Sequence, residues 1–357
     1  MTALLPLQAL NPARFDTPVI LKRLAASSRK LAELKGVAAS IPHQGILINT
    51  LGLQEAKDSS EIENIITTHD ELFKEDVALV SNPAAKEVHR YRQALRRGYE
   101  LVQSTQLMTT NHIIEMQAEL EHNQAGLRKL PGTVLKNSQG LTVYTPPQHP
   151  DEIIRLMGDL ERFMNDSADF DVDPLIKMAL MHHQFESIHP FYDGNGRTGR
   201  LLNVLYLVKE GLLDVPVLYL SRHIVRTKAD YYALLQTVRE NDAWEAWVLY
   251  MLEAVEQTAG QTINTIHAIK TALFDYKHRI REQFKFYSQD LINNLFTHPY
   301  TKVEFVQRDL KVSRLTAAKY LDALADGGFV QKQKIGRSNY YVNVALSAIL
   351  MDTSLAK

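Results

Sequence analysis

Apolar residues recur at three- and four-residue spacing along most of this chain, the pattern of helices that bury one face. Up to about residue 95 the reading is helical, with Pro18 and Pro42 as punctuation, and Val88, Tyr91, Leu95, Ile113 and Met116 carry it on to about Glu121 as scaffold. The period then changes. Thr133-Val134-Leu135 and Leu141-Thr142-Val143-Tyr144 flank Asn137-Ser138-Gln139-Gly140 and end at Pro146-Pro147, which predicts a short β-hairpin. Leu175, Ile176, Met178, Phe185 and Ile188 predict a helix that Pro190 must stop, and Leu201, Leu202, Val204, Leu205 and Val208 predict a second. Tyr231-Tyr232 opens a further helical stretch, and Trp244 and Trp247 anchor a long one reaching about Phe284. From Phe286 onward the order is helix, turn, helix and strand, with Arg337 and Tyr340-Tyr341 in a second strand. The expected fold is mainly α with one β-hairpin: a helical region at 1–95, a core and connector helix at 96–284, and a small C-terminal unit at 285–357.

Composition narrows the function classes. The chain has 357 residues, 45% of them hydrophobic, enough for a substantial core. A formal charge of -1 argues against a surface built as a whole for nucleic acid or acidic membranes. With no cysteine, disulfides and thiolate metal sites are excluded, so any metal must take oxygen or histidine ligands. Neither a signal-peptide pattern nor an apolar run of about 18 residues is supported by the sequence, so the expectation is a cytoplasmic protein without membrane association.

Chemistry concentrates between the two central helices, in His189-Pro190-Phe191-Tyr192-Asp193-Gly194-Asn195-Gly196-Arg197-Thr198-Gly199-Arg200. Gly194-Asn195-Gly196 is expected just before a helix N-terminus, where backbone N–H groups can converge on an anion. Arg197 and Arg200 share a face in the first turn, where the helix dipole disfavours cations, and a bound polyanion would remove that conflict. Asp193 offers an oxygen ligand suited to phosphate-bridging magnesium, and His189 a base that can be neutral near pH 7. Together these residues suggest a nucleoside triphosphate site, yet no GxxxxGK[ST] loop is present. Adjacent His182 and His183 face different directions and do not suggest a metal cluster. Upstream, Ser60 and Glu63 fit an S-x-x-E capping box at a helix start.

The twelve-residue stretch matches the Fic motif, HxFx(D/E)GNGRxxR, at every specified position. With the flanking Asp173-Pro174-Leu175-Ile176-Lys177, Phe185-Glu186-Ser187-Ile188, Leu218-Tyr219-Leu220-Ser221 and Asp230-Tyr231-Tyr232, nearly the whole chain resembles bacterial Fic adenylyltransferases with an N-terminal inhibitory helix and a C-terminal winged helix. The resemblance implies AMP transfer from ATP, with magnesium on Asp193, to a hydroxyl of a target protein docked on a flap at 133–147. It implies His189 as base and an ATP site of Glu63, His189, Gly194, Asn195, Gly196, Arg197, Thr198, Gly199 and Arg200, with Tyr232 on the adenine side. Ser59-x-x-x-Glu63-Asn64 matches the family's inhibitory signature, (S/T)xxxE(G/N), which sets Glu63 against Arg200. His183 departs from the tyrosine common in similar proteins. Hydrolytic removal of AMP on the same residues is one alternative, and a DNA-binding regulator with a nucleotide-sensing core another. Arg314, Thr316 and Lys319 suit DNA contacts, though Asp322 and Asp326 temper the charge, so DNA is not favoured; homo-oligomerisation stays open.

Overall fold

The computed structural model describes residues 4–67, 72, 82–137, 139–166, 170–335 and 338–351. Two 3-10 turns, Leu7–Ala9 and Pro12–Phe15, precede α1 (Pro18–Ala39), α2 (Gly45–Ile62), α3 (Pro83–Thr105) and α4 (Thr110–Glu121). A hairpin of β1 (Leu135–Lys136) and β2 (Thr142–Tyr144) follows, then α5 (Pro150–Asn165), α6 (Pro174–Ile188), α7 (Asn195–Lys209), α8 (Ser221–Arg226), α9 (Lys228–Asn241) and α10 (Trp244–Gln283). The C-terminal unit comprises α11 (Gln289–Thr297), β3 (Tyr300–Lys302), α12 (Val303–Leu310), α13 (Arg314–Asp326), β4 (Val330–Ile335), β5 (Ser338–Asn343) and α14 (Val344–Met351).

Local chemistry sets where the helices start. Thr17, Asn82 and Asp173 each accept a first-turn N–H on a side-chain oxygen, and each is followed by a proline that needs no such bond. The centre of the molecule is α6, every residue of which from Leu175 to Ile188 is buried. A helix enclosed on all sides must pair its polar groups internally. Lys177 Nζ donates to Asp166 O at 2.9 Å, Gln184 Nε2 to Leu5 O at 2.8 Å, and His183 Nε2 pairs with Leu235 O at 3.1 Å. The 40-residue α10 is a rigid connector about 60 Å long at 1.5 Å per residue. Near its start the buried Trp247 donates Nε1 to Ala179 O of α6 at 2.7 Å, and near its end Tyr276 donates its hydroxyl to Phe329 O of the C-terminal unit at 2.7 Å. In that unit the antiparallel sheet runs β3-β5-β4, with Tyr300 opposite Val342 and Val330 opposite Asn343. Gln54 Nε2 of α2 donates to Leu350 O of α14 at 2.7 Å, which ties this unit to the second helix.

The hairpin is shorter than its hydrophobic pattern predicts. Leu135 pairs with Tyr144, but the preceding backbone is held by the Gln148 side chain, which receives Gly132 N–H at 2.7 Å and donates to Thr133 O at 3.0 Å. A side chain has replaced the opposite strand as partner. Ser138 and Arg337 lie outside the described residues. No helix among the described residues is long and apolar enough to cross a membrane.

Candidate active site

α6 stops at Ile188 because His189 caps it in the left-handed region, φ 49°, and Pro190 follows. Asn195 closes the loop by accepting Phe191 N–H on Oδ1 at 2.9 Å and donating Nδ2 to Phe191 O at 2.8 Å. Asp193, exposed, accepts Gly194 N–H at 2.7 Å, and Gly194 takes φ 76°, a turn glycine makes without steric cost. The helix therefore begins at Asn195. Gly194 is its cap, and Asn195 and Gly196 sit inside the first turn, so the helix starts two residues earlier than the sequence suggests.

The two arginines at this N-terminus are buried, and the protein itself supplies their anions. Arg197 donates to Glu87 of α3 and Glu121 of α4, each at 2.8 Å. Arg200 donates Nε to Ser59 Oγ at 2.8 Å, and Nη2 to Ser59 O and Glu63 Oε1 at 2.9 Å each. The clash of cation and helix dipole expected from sequence is thus relieved by three carboxylates. Glu63 lies over the glycine cradle: a Cβ on Gly196 would collide with its Oε1 and stand 3.0 Å from Arg200 Nη1. Burial pushes the Glu63 carboxyl up, but the Arg200 guanidinium, by charge and by hydrogen bond, brings it below the usual carboxylate value. The capping-box reading fails here, since Ser60 is in the last turn of α2 and Glu63 is its C-terminal cap. Asn64 follows at φ 62° and accepts Lys228 Nζ at 3.1 Å.

His189 sits half-buried beside this cradle, and burial, reinforced by Arg128 and Arg239, lowers its imidazole to about 4, so it is neutral at pH 7. Tyr232 is 46% exposed and meets the buried Tyr231 edge-on at 5.2 Å. Thr198 and Gly199 belong to helix packing, since Thr198 N–H is taken by Gly194 O at 2.9 Å and Gly199 faces Phe185 and Glu186 of α6. His182 and His183 are buried and lowered to about 3 by desolvation, in agreement with a core role. Among the described residues no three His, Asp or Glu side chains form a metal cluster.

Some participants carry no sequence signal. Arg128, 1% exposed, donates Nε to His189 O at 2.7 Å and Nη2 to Pro147 O at 2.6 Å and Ile188 O at 3.3 Å, while its N–H bonds Pro190 O at 2.8 Å. It binds the hairpin to the histidine loop. Glu87 and Glu121 are similarly silent, one charge among many on amphipathic helices.

Known proteins show the same plan. Residues 21–100 match the Fic/DOC family N-terminal domain, 107–207 the Fic/DOC family domain and 273–346 the C-terminal domain of SoFic-like protein adenylyltransferases. Protein adenylyltransferase fic-1 of Caenorhabditis elegans is 34% identical over 126 residues, 35% of this chain and 23% of its own. Protein adenylyltransferase Fic of Aedes aegypti is 26% identical over 248 residues, 68% of this chain and 43% of its own. The chain thus spans less than half the length of these curated relatives. Among solved structures, a Fic family protein from Desulfovibrio desulfuricans G20 superposes with TM-score 0.59 at 21% identity, over 92% of this chain and 96% of that one. Fic-1 of C. elegans does so with TM-score 0.55 at 23% identity, over 73% and 76%.

Proposed function

Because the chain belongs to the Fic/DOC family, we propose that it is a protein adenylyltransferase, moving AMP from ATP to a hydroxyl side chain of another protein under restraint by Glu63. The observation that carries the reading is the Arg200–Glu63 pair, 2.9 Å apart over Gly196 at the mouth of α7. A site made for polyanions holds an internal carboxylate where a phosphate would sit.

Each residue has a task in this scheme. The first-turn N–H groups of α7 with Arg197 and Arg200 hold the β- and γ-phosphates, and Tyr232 borders the adenine. His189, neutral at pH 7, takes the proton as the hydroxyl oxygen bonds the α-phosphorus; the bond from that phosphorus to the β-phosphate oxygen breaks and pyrophosphate leaves. Asp193 fits magnesium, being an exposed carboxylate beside the cradle, of which magnesium needs only one or two alongside phosphate oxygens. Bound there, magnesium would offset phosphate charge. Exposed Val134, Leu141 and Val143 give the hairpin an apolar surface suited to an extended target segment at 133–147. The α11–β5 unit has the element order of a winged helix, and we assign it to partner choice.

Incubation of the Glu63→Gly chain with ATP and magnesium tests the activity. A mass gain of one AMP is expected on the chain itself, and an unmodified chain that still binds ATP would overturn the assignment. Asp193→Ala is expected to raise the magnesium concentration for half-maximal rate, and an unchanged titration would remove Asp193 from that role. Arg128→Ala is expected to slow transfer ~10²-fold, the cost of a reacting group displaced by about 1 Å, with ATP affinity unchanged and partial rescue by added guanidinium. A parallel loss of ATP binding would make Arg128 a folding residue only.

A further inference from the structure

We propose that Glu55 is a positioning residue for the inhibitory contact, a proton-dependent latch that keeps Ser59 of α2 seated on Arg200; this rests on Glu63 being an inhibitor, as argued above. Glu55, Ser59 and Glu63 are spaced by four along α2 and so share a face. Glu55 is 2% exposed and takes no part in the phosphate site. Its Oε1 receives the Tyr91 hydroxyl of α3 at 2.8 Å and the Ser221 hydroxyl at the start of α8 at 2.5 Å. The Tyr91 hydroxyl also borders that of Ser59, which receives Arg200 Nε. The polar chain therefore runs from Ser221 through Glu55, Tyr91 and Ser59 to Arg200 and Glu63.

Oε2 of Glu55 has no partner, and neither does Thr258 Oγ1 on α10. Both residues line a polar hollow of about 20 Å³, room for one water and a place for the carboxyl proton. The charged and titratable groups around Glu55 are Asp58 on its own helix, Tyr91 on α3, Tyr219 just before α8, Arg222 on α8, and Arg200 on α7; α10 presents only neutral threonines and Gln261. Arg222 faces Asp58 at 3.6 Å and Arg200 is bonded to Glu63, so no cation bonds Glu55 directly; Arg200 acts on it only through space, and the charge of Asp58 opposes that effect. Burial pushes its carboxyl up to about 8, against the lowering effect of the Ser221 and Tyr91 hydrogen bonds. At neutral pH the carboxyl is protonated and carries no charge into the interior. Ionisation buries an unpaired anion, which loosens the seating of α2 and with it the hold on Arg200.

The sign for stability follows from the folded value lying above the ordinary 4.5. The contribution of Glu55 is complete below 4.5 and is lost as pH rises toward about 8.

The test measures AMP transfer by the full chain and by Glu63→Gly, each with and without Glu55→Gln, from about pH 7 to about pH 9. With Glu55 present, the ratio of the Glu63→Gly rate to the parent rate is expected to fall at least ~5-fold across that range, and with Gln to stay within about twofold. A ratio that does not change with pH, or that falls equally with Gln, overturns the latch. A ratio near one at every pH overturns instead the inhibitory role of Glu63, and the latch with it. Two further measurements bear on the latch, the first without the Gln variant. Tyr91→Phe should lower the ratio at pH 7 without changing the rate in the Glu63→Gly background, and an unchanged ratio counts against the latch. The melting temperature of Glu55→Gln relative to the parent should rise from about pH 5 to about pH 8 and then level, and a flat difference counts against it too.

Discussion

Glu63→Gly is expected to raise the rate of AMP transfer at least ~10-fold over the parent chain, given that one correctly placed donor to a developing charge is worth ~10²–10³ in rate. Arg200 has a limited set of donors, and the structure commits three of them: two to Ser59 and one to Glu63. A γ-phosphate reaching the N-terminus of α7 meets a guanidinium already turned to α2 and a carboxylate lying over Gly196. ATP would still bind through its other contacts, with its phosphates out of line for attack on the α-phosphorus. Removing the carboxylate restores the alignment. The double variant with Arg200→Ala should lose the gain, since there is then no donor to free. Ser59→Ala should raise the rate more weakly, because the Ser59 carbonyl still holds Nη2. A lower melting temperature is also expected for Glu63→Gly, since Arg200, 3% exposed, loses its counter-charge, and added ATP should restore part of it. The rate is therefore the deciding measurement. If Glu63 serves only to end α2, the variant will melt earlier and transfer no faster.

His189→Ala is expected to cut transfer by ~10²–10⁴, the usual value of a positioned general base, with ATP affinity within about twofold of the parent. The imidazole acts on the incoming hydroxyl, whereas the phosphates are held by α7. Alanine at φ 49° is strained, so His189→Asn is the companion variant, asparagine being at ease in that region. Both should be equally inactive. Recovered activity in the asparagine variant would point to backbone shape rather than base chemistry, and ATP binding lost in step with activity would contradict the division of labour.

Most of the architecture was legible along the chain. The helices about Pro190, the long connector from Trp244 and the turn at Gly194 follow from apolar spacing, proline and glycine, which act within a few residues of where they stand. Ser60 and Glu63 were ambiguous for the same reason. A serine and a glutamate three apart fit a helix start, but here they lie at a helix end, and what distinguishes the two is the arginine 137 residues away that Glu63 meets.

The helical class and the loop that joins His189, the glycines of the turn, Arg197 and Arg200 could be read from the chain, since these are properties of short stretches. Which groups face those arginines follows from the packing of the helices: the carboxylates of Glu87 and Glu121 at Arg197, and the Glu63 carboxylate with the Ser59 hydroxyl at Arg200. Tertiary structure alone brought Arg128 onto the His189 carbonyl, and Tyr91 and Ser221 onto Glu55. The separations run from 36 to 166 residues. Periodicity tells which face of a helix is buried, but the partner of a buried charge depends on how helices cross and where the chain returns, and no local pattern of residues carries that information.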